Sequence, residues 1–427
     1  MSAIRSTRTM LAACLLASAA PALAGDDPAD AMAAFFKRMQ ATTTPFEEFR
    51  FMSGPEVEAN PVWKQLAAQT LAASLANLGR PNEAYRTFPY RDRSPAPSGL
   101  PTPASHRALP AADWVAAQAR HLRVVMVNES HHQPRTRLLT LALLAPLRAQ
   151  GYTHLAVETL APNPLPKGYP TLDSGYYTRD PVFAALIREA IRLGYVLVPY
   201  EPESGPGQTQ QQRETGMAQV LADLVRTQPD AKLLVHAGYG HIGKEAASQP
   251  AQADPMAREF MRLSGLPVLA LDQTKLGWED GEAQARLARA FAIRAPSVLL
   301  AREGATAWSA LPARYDASVV LPDDDREALR PAWLSLDGRR QPVAIDLTPC
   351  LGHLPCLAEA RHAAEGDDAI PADQFVMLAE RDAGTPLYLA PGGYRLRYTG
   401  GDGNTLGERR LQVPSAPDAT TTSAAAP

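Results

Sequence analysis

From Leu122 to Gln273 short apolar runs alternate with segments of helical spacing, and the runs themselves do not alternate polar with apolar. The runs are "RVVMVNE" (123–129), "HLAVET" (154–159), "YVLVPYE" (195–201), "KLLVHAG" (232–238) and "LPVLALDQ" (266–273). Helical spacing fills the intervals at 135–151, 180–194, 210–228 and 254–265. A strand with one wet face alternates, whereas a strand buried on both faces does not. Five such strands separated by helices therefore predict an α/β domain over 111–325, with a mostly parallel central sheet covered by helices on both faces. Pro146, inside the first helical segment, predicts a kink or an early end there.

The flanks read differently. Residues 27–41 and 61–79 have helical periodicity, so 25–110 is expected to be a helical N-terminal region ending in a linker, the Pro- and Ser-rich stretch 90–110. Segment 386–413 has alternating runs and Gly-rich turns, which places a small antiparallel β domain within 326–413. The tail, 414–427, has low complexity and is expected to be disordered.

Charge and cysteine usage narrow the setting. Across 427 residues, 42 Lys and Arg nearly balance 45 Asp and Glu, so neither a nucleic-acid binder nor a basic membrane-surface protein is expected. Arg5 and Arg8, the apolar run Met10 to Ala20 and the "ALA" ending at Ala24 read as a signal peptide, 1–24, which predicts a periplasmic or secreted protein. A lipidation reading of "LAAC" at Leu11 to Cys14 has almost no apolar region before its cut. No later run is long enough to span a membrane. Cys350 and Cys356 form an even pair, expected to be a disulfide in an oxidising compartment; His353 between them leaves a metal reading with poor ligand spacing.

Ligands of parallel sheets sit outside the carboxyl ends of the strands. Those ends carry Glu129, His131 and His132; Glu158; Tyr200 and Glu201; His236, with His241 beyond it; and Asp272. Each alone reads as a cap or a hydrogen-bonded core group, but together they predict one polar site. Glu and His in these numbers suit two chemistries, a metal-bound water or an imidazole base oriented by a carboxylate. The zinc-protease helix H-E-x-x-H and the serine elbow G-x-S-x-G are both absent. Arg135 and Arg137 open the following helix, where a solvated face is expected, with attraction of an anionic substrate the other reading.

In order, "NESHHQPRTRLLTLALL", "LAVETL", "SGYYTRDPVFAALIREAIRLGYVLVPYE", "RETGMA" and "HAGYGHIG" resemble the superfamily of erythromycin esterases, ChaN-type haem-binding lipoproteins and Tiki/TraB proteases, over about residues 120–275. The resemblance implies an α/β fold and one pocket lined by Glu129, His131, Glu158, Arg213 and His236 or His241. The family's glycine before the first glutamate is Asn128 here, a residue that tolerates a left-handed turn. His132, Tyr176, Tyr177 and Glu201 are the candidate substrate contacts. An esterase-like member would use His131 as base on a water attacking an ester, lactone or amide, with Arg213 steadying the developing anion. A protease-like member would bind a divalent metal ion. A ChaN-like member would bind haem or iron without turnover, with Tyr176 or Tyr239 as ligand. The partner implied by the first two is a small-molecule or peptide substrate; cofactor and oligomeric state stay open.

Overall fold

The computed structural model describes residues 28–88, 99–203, 207–249, 252–277 and 281–415. The expected signal segment, residues 89–98 of the Pro-rich stretch and 416–427 of the tail lie outside these.

The fold is mixed α/β, built on an eight-stranded sheet in the order β1-β7-β8-β6-β2-β5-β3-β4. Its strands are β1 (His106–Pro110), β2 (Val124–Glu129), β3 (His154–Val157), β4 (Val196–Pro199), β5 (Leu233–Gly238), β6 (Val268–Asp272), β7 (Ser297–Ala301) and β8 (Ala317–Val320). The six from β8 to β4 pair in parallel, and β2 and β5 are buried along their whole length. The sheet is not parallel throughout: β7 runs antiparallel to β8, and β1 antiparallel to β7. β1 arises from the end of the expected linker, where "HRALP" gives too short an apolar signal to separate from its Pro-rich surroundings.

Alternation along β2 shows why its sequence lacks a polar face. Val125 and Val127 pack with the helices α6 (Ala111–Gln118), α7 (Arg137–Arg148) and α8 (Pro181–Arg192). Val124 and Met126 pack with α9 (Gln210–Thr227) and α10 (Met256–Ser264) on the other side. Pro146 lies inside α7, which runs on to Arg148.

The described residues of the N-terminal region hold five helices, α1 (Pro28–Ala41), α2 (Pro45–Met52), α3 (Pro55–Ala59), α4 (Pro61–Asn77) and α5 (Pro81–Thr87). A further helix, α11 (Glu282–Ala290), precedes β7. After β9 (Gln341–Val343), the strands β10 (Cys356–His362), β11 (Asp373–Met377), β13 (Gly392–Thr399) and β14 (Thr405–Val413) make an antiparallel sheet ordered β11-β10-β13-β14, and β12 (Leu387–Leu389) pairs with β9. Cys350 and Cys356 are disulfide-bonded, their Cα atoms 5.4 Å apart. Among the described residues no helix is long and apolar enough to cross a membrane.

Helices α2, α4 and α5 share a small core with Leu357 and Val376 of this sheet. Arg80, 4% exposed, locks that junction: it donates to the Val376 carbonyl at 2.9 Å and to Asp382 at 2.8 Å. Truncating one member of a buried ion pair leaves the other charge stranded, so Arg80→Ala is expected to lower stability by about 3–5 kcal/mol. Urea unfolding of the variant measures this, and a change below about 1 kcal/mol, the scale of an exposed pair, would refute it.

Candidate active site

The register of the central strands sets the site. Glu129 ends β2 opposite Gly238 at the end of β5, and Glu158 follows β3 on the other flank of β5. With a period of two, Glu129 falls on the α7/α8 face and Glu158 on the α9 face. Two polar clusters follow, one for each face.

The first is centred on Glu129, 1% exposed. Arg137 of α7 donates to its Oε2 through Nε at 2.6 Å and to its Oε1 at 3.3 Å. His131 Nδ1 lies 2.8 Å from Oε1 and His236 Nε2 3.0 Å from Oε2. Burial alone would raise the carboxyl's pKa, but Arg137 and the two imidazoles hold it well below the usual range. An ionised carboxylate only accepts, so each facing nitrogen carries the proton. His131 is thereby set as the Nδ1–H tautomer, its Nε2 lone pair pointing away from Glu129. His236 is fixed at its other nitrogen by Thr140 Oγ1, 2.8 Å away. Arg137 also pairs with Asp180, the N-cap of α8, at 2.9 Å. It is 1% exposed, so the expected solvated helix face is corrected: the guanidinium turns inward to the buried carboxylates of Glu129 and Asp180.

The second cluster is centred on Glu158. Arg213 of α9 donates to its Oε1 at 3.0 Å, the Gly238 N–H donates to its Oε2, and His241 Nε2 is 3.6 Å from Oε1. Burial again opposes the charge, but His241, His131, Arg213 and that N–H bring the pKa down to about 2. Arg213 also holds Glu201, at 2.5 Å, whose other oxygen accepts from the Thr159 N–H. His241 Nδ1 is 2.9 Å from Glu214. Burial disfavours the imidazolium, yet Glu214 and Glu158 raise its pKa above the ordinary value.

The clusters meet at Gly238. A methyl group there would come within 2.3 Å of the His131 ring and 2.9 Å of Glu158, so only glycine lets the imidazole lie on the strand beside the second carboxylate. The loops that leave this rim are strained: Thr159, directly after Glu158, and Tyr239, directly after Gly238, have φ of 59° and 40°. Tyr177 stacks on the His131 ring, with centroids 3.7 Å apart and planes 12° from parallel. Its loop is fastened from both flanking regions. Leu172 N–H donates to the Asp368 carbonyl at 3.0 Å, and the buried Arg179 lies 3.8 Å from Glu48 of α2.

Glu129, His131, Glu158, Arg213, Glu201, His236 and His241 thus stand on one rim. Tyr177 covers it, and Tyr176 lies buried behind Tyr177. His132 does not join: it meets Phe88 edge-on at 5.5 Å and Tyr239 Oη at 3.2 Å, and burial, with His131 and Arg137 nearby, pushes its pKa down to about 3. Asp272 is turned away too, accepting from Asn128 and from the Thr274 N–H. Asn128 is not the left-handed residue expected. It belongs to β2, and its side chain ties the Tyr239 carbonyl to the Gln273 N–H. Thr140, Glu214 and Gly238 are site members that the sequence does not single out, although Glu214 adjoins Arg213.

The donor set does not fit a resident metal ion. Glu129 and Glu158 each already carry a guanidinium, which supplies the positive charge a cation would, and among the described residues no group of three or more His, Cys, Asp or Glu is placed to hold one.

No family model matches the chain, and no curated protein matches it. Among solved structures, it is similar to the crystal structure of RRSP, a MARTX toxin effector domain from Vibrio vulnificus CMCP6, with 12% identity over 53% of this chain and 55% of that chain and a TM-score of 0.28. At that score the likeness says nothing about chemistry.

The depressed pKa of Glu158 has a definite sign. A carboxyl whose folded pKa lies below its unfolded value contributes stability that is present above about pH 4.5 and lost as pH falls toward 2. Urea midpoints measured from pH 6 to 2.5 are expected to drop more steeply in the native protein than in Glu158→Gln. Parallel curves would contradict this reading.

Proposed function

We propose that the protein is an exported hydrolase that activates water at a Glu/His site to cleave an ester, lactone or amide. The observation that carries this is the His131 arrangement: Nδ1 bound to an ionised, buried Glu129 at 2.8 Å, and the ring seated over Gly238 beside Glu158. A carboxylate that orients an imidazole and steadies its charged form is the arrangement of a general base. The free lone pair of His131 Nε2 takes a proton from water. The resulting hydroxide attacks the carbonyl carbon, and collapse of the tetrahedral intermediate expels the alcohol or amine, which recovers the proton from Nε2.

Glu158 is the neighbouring negative group, favouring the imidazolium as it forms. Arg213 is committed to Glu158 and Glu201, so its part is to hold those carboxylates ionised and in place rather than to meet the developing oxyanion. Tyr177, lying on the imidazole, shields the base. The non-catalytic haem-binding alternative has less support, since Tyr176 is 4% exposed and the Tyr239 hydroxyl is spent on His132.

The test is hydrolysis of a panel of p-nitrophenyl esters, small lactones and acyl anilides. One class is expected to turn over, with kcat/KM falling on the order of 100-fold or more in His131→Ala and in Glu129→Gln, the scale of a lost general base. Turnover unchanged in both variants, or a purified protein that carries haem and hydrolyses none of the panel, would overturn the proposal.

A further inference from the structure

A second cleft lies away from the Glu/His rim, on the outer side of α7. It encloses about 480 Å³ between α7, the start of β7 and the loop after β8. Leu138 and Leu141 of α7, Ile293, Leu321, Trp333 and Leu336 give it apolar walls. That volume falls in the range of small-ligand sites, which combine apolar walls with a few placed polar groups.

Charged groups of both signs line it as well, Arg294, Arg339 and four aspartates among them, and Arg135 is the one at the turn into α7. It sits in the 3₁₀ turn Pro134–Thr136, between His131 and α7, and lines both this cleft and the smaller hollow beside Tyr85 and Arg326. Among the described residues its guanidinium makes no hydrogen bond and no ion pair within 4 Å. Burial, reinforced by Arg326 and opposed by Asp324, Tyr85 and Asp323, pushes its pKa below the ordinary value.

The neighbouring acids are engaged elsewhere. Asp323 pairs with Arg289 at 3.0 Å, Asp324 accepts from the Trp333 indole N–H at 2.9 Å, and Asp325 accepts from the Glu327 N–H at 3.1 Å. Burial raises the Asp324 pKa, and Arg135 is the first of the charges that oppose the rise. Asp337 is exposed at the rim, as is the cation Arg294.

We infer that this cleft is a second ligand site, for a small amphipathic carboxylate whose chain lies along the apolar wall of α7 and whose head is held by Arg135. A planar guanidinium grips a carboxylate through two parallel N–H donors, and an uncharged or cationic head gains nothing from it. This site is independent of the proposed hydrolysis, since none of its residues belongs to the Glu129 or Glu158 clusters.

The experiment is calorimetric titration of the full chain with decanoate, decanol and decyltrimethylammonium. Decanoate is expected to bind at one site about tenfold or more tightly than the other two, the least that a charge-assisted pair contributes. Arg135→Gln should lose that preference while keeping the affinity for decanol. Leu138→Trp, which fills the cleft, should weaken all three, and His131→Ala should change none. Thermal melting of each variant separates a lost site from a lost fold. Equal affinity for the three head groups, undiminished decanoate binding in folded Arg135→Gln, or loss of binding in His131→Ala would overturn the inference.

Discussion

The pairing of Glu129 with Arg137 is the contact on which the rest of the rim depends. Both side chains are 1% exposed. A charge at that depth is costly unless paired and fully hydrogen-bonded, and removing one partner strands the other. Here the pairing also sets geometry. Arg137 reaches the end of β2 through Glu129, the N-terminus of α8 through Asp180 and the chain after β2 through the His131 carbonyl. His236 of β5 completes the Glu129 shell. Four segments are therefore held at one point by a single carboxylate and a single guanidinium.

The sheet then decides what that point faces. Alternation sends Glu129 and Glu158 to opposite faces, so two carboxylates close in space do not share one environment. Each has its own arginine, on α7 and on α9. His131 crosses between them over Gly238, where no side chain stands in the way. Its position is a consequence of strand register, a missing Cβ and a neighbouring carboxylate, with Tyr177 laid on the outer face of the ring.

Much of this was legible in the sequence. The five central strands and their helices follow from apolar runs without alternation, and the strand ends name Glu129, Glu158 and His236 directly. What was hidden depends on side-chain direction and on long-range pairing. "RTR" at the start of α7 looks like a solvated turn, yet Arg137 is buried while Arg135 borders a cleft. Nothing local distinguishes the two, because the cause is Glu129 eight residues away and Asp180 beyond that. His131 and His132 differ only in which side of the turn each faces. The antiparallel edge escaped for another reason. β1 is five residues long and sits in Pro-rich sequence, so its pairing with β7 has no signal until β7 is placed. In sequence Asn128 suggests only backbone tolerance, whereas its value here lies in an amide that bonds two loops.

Glu129 fixes His131 with its proton on Nδ1 and a lone pair on Nε2. Long-range ¹H–¹⁵N correlation spectra of the histidine-labelled protein read that directly. For the neutral imidazole of His131 a protonated Nδ1 and a pyridine-like Nε2 are expected, with the two shifts moving toward a tautomer average in Glu129→Gln. A proton resident on Nε2 in the native protein, or a tautomer unaltered by the substitution, would contradict it.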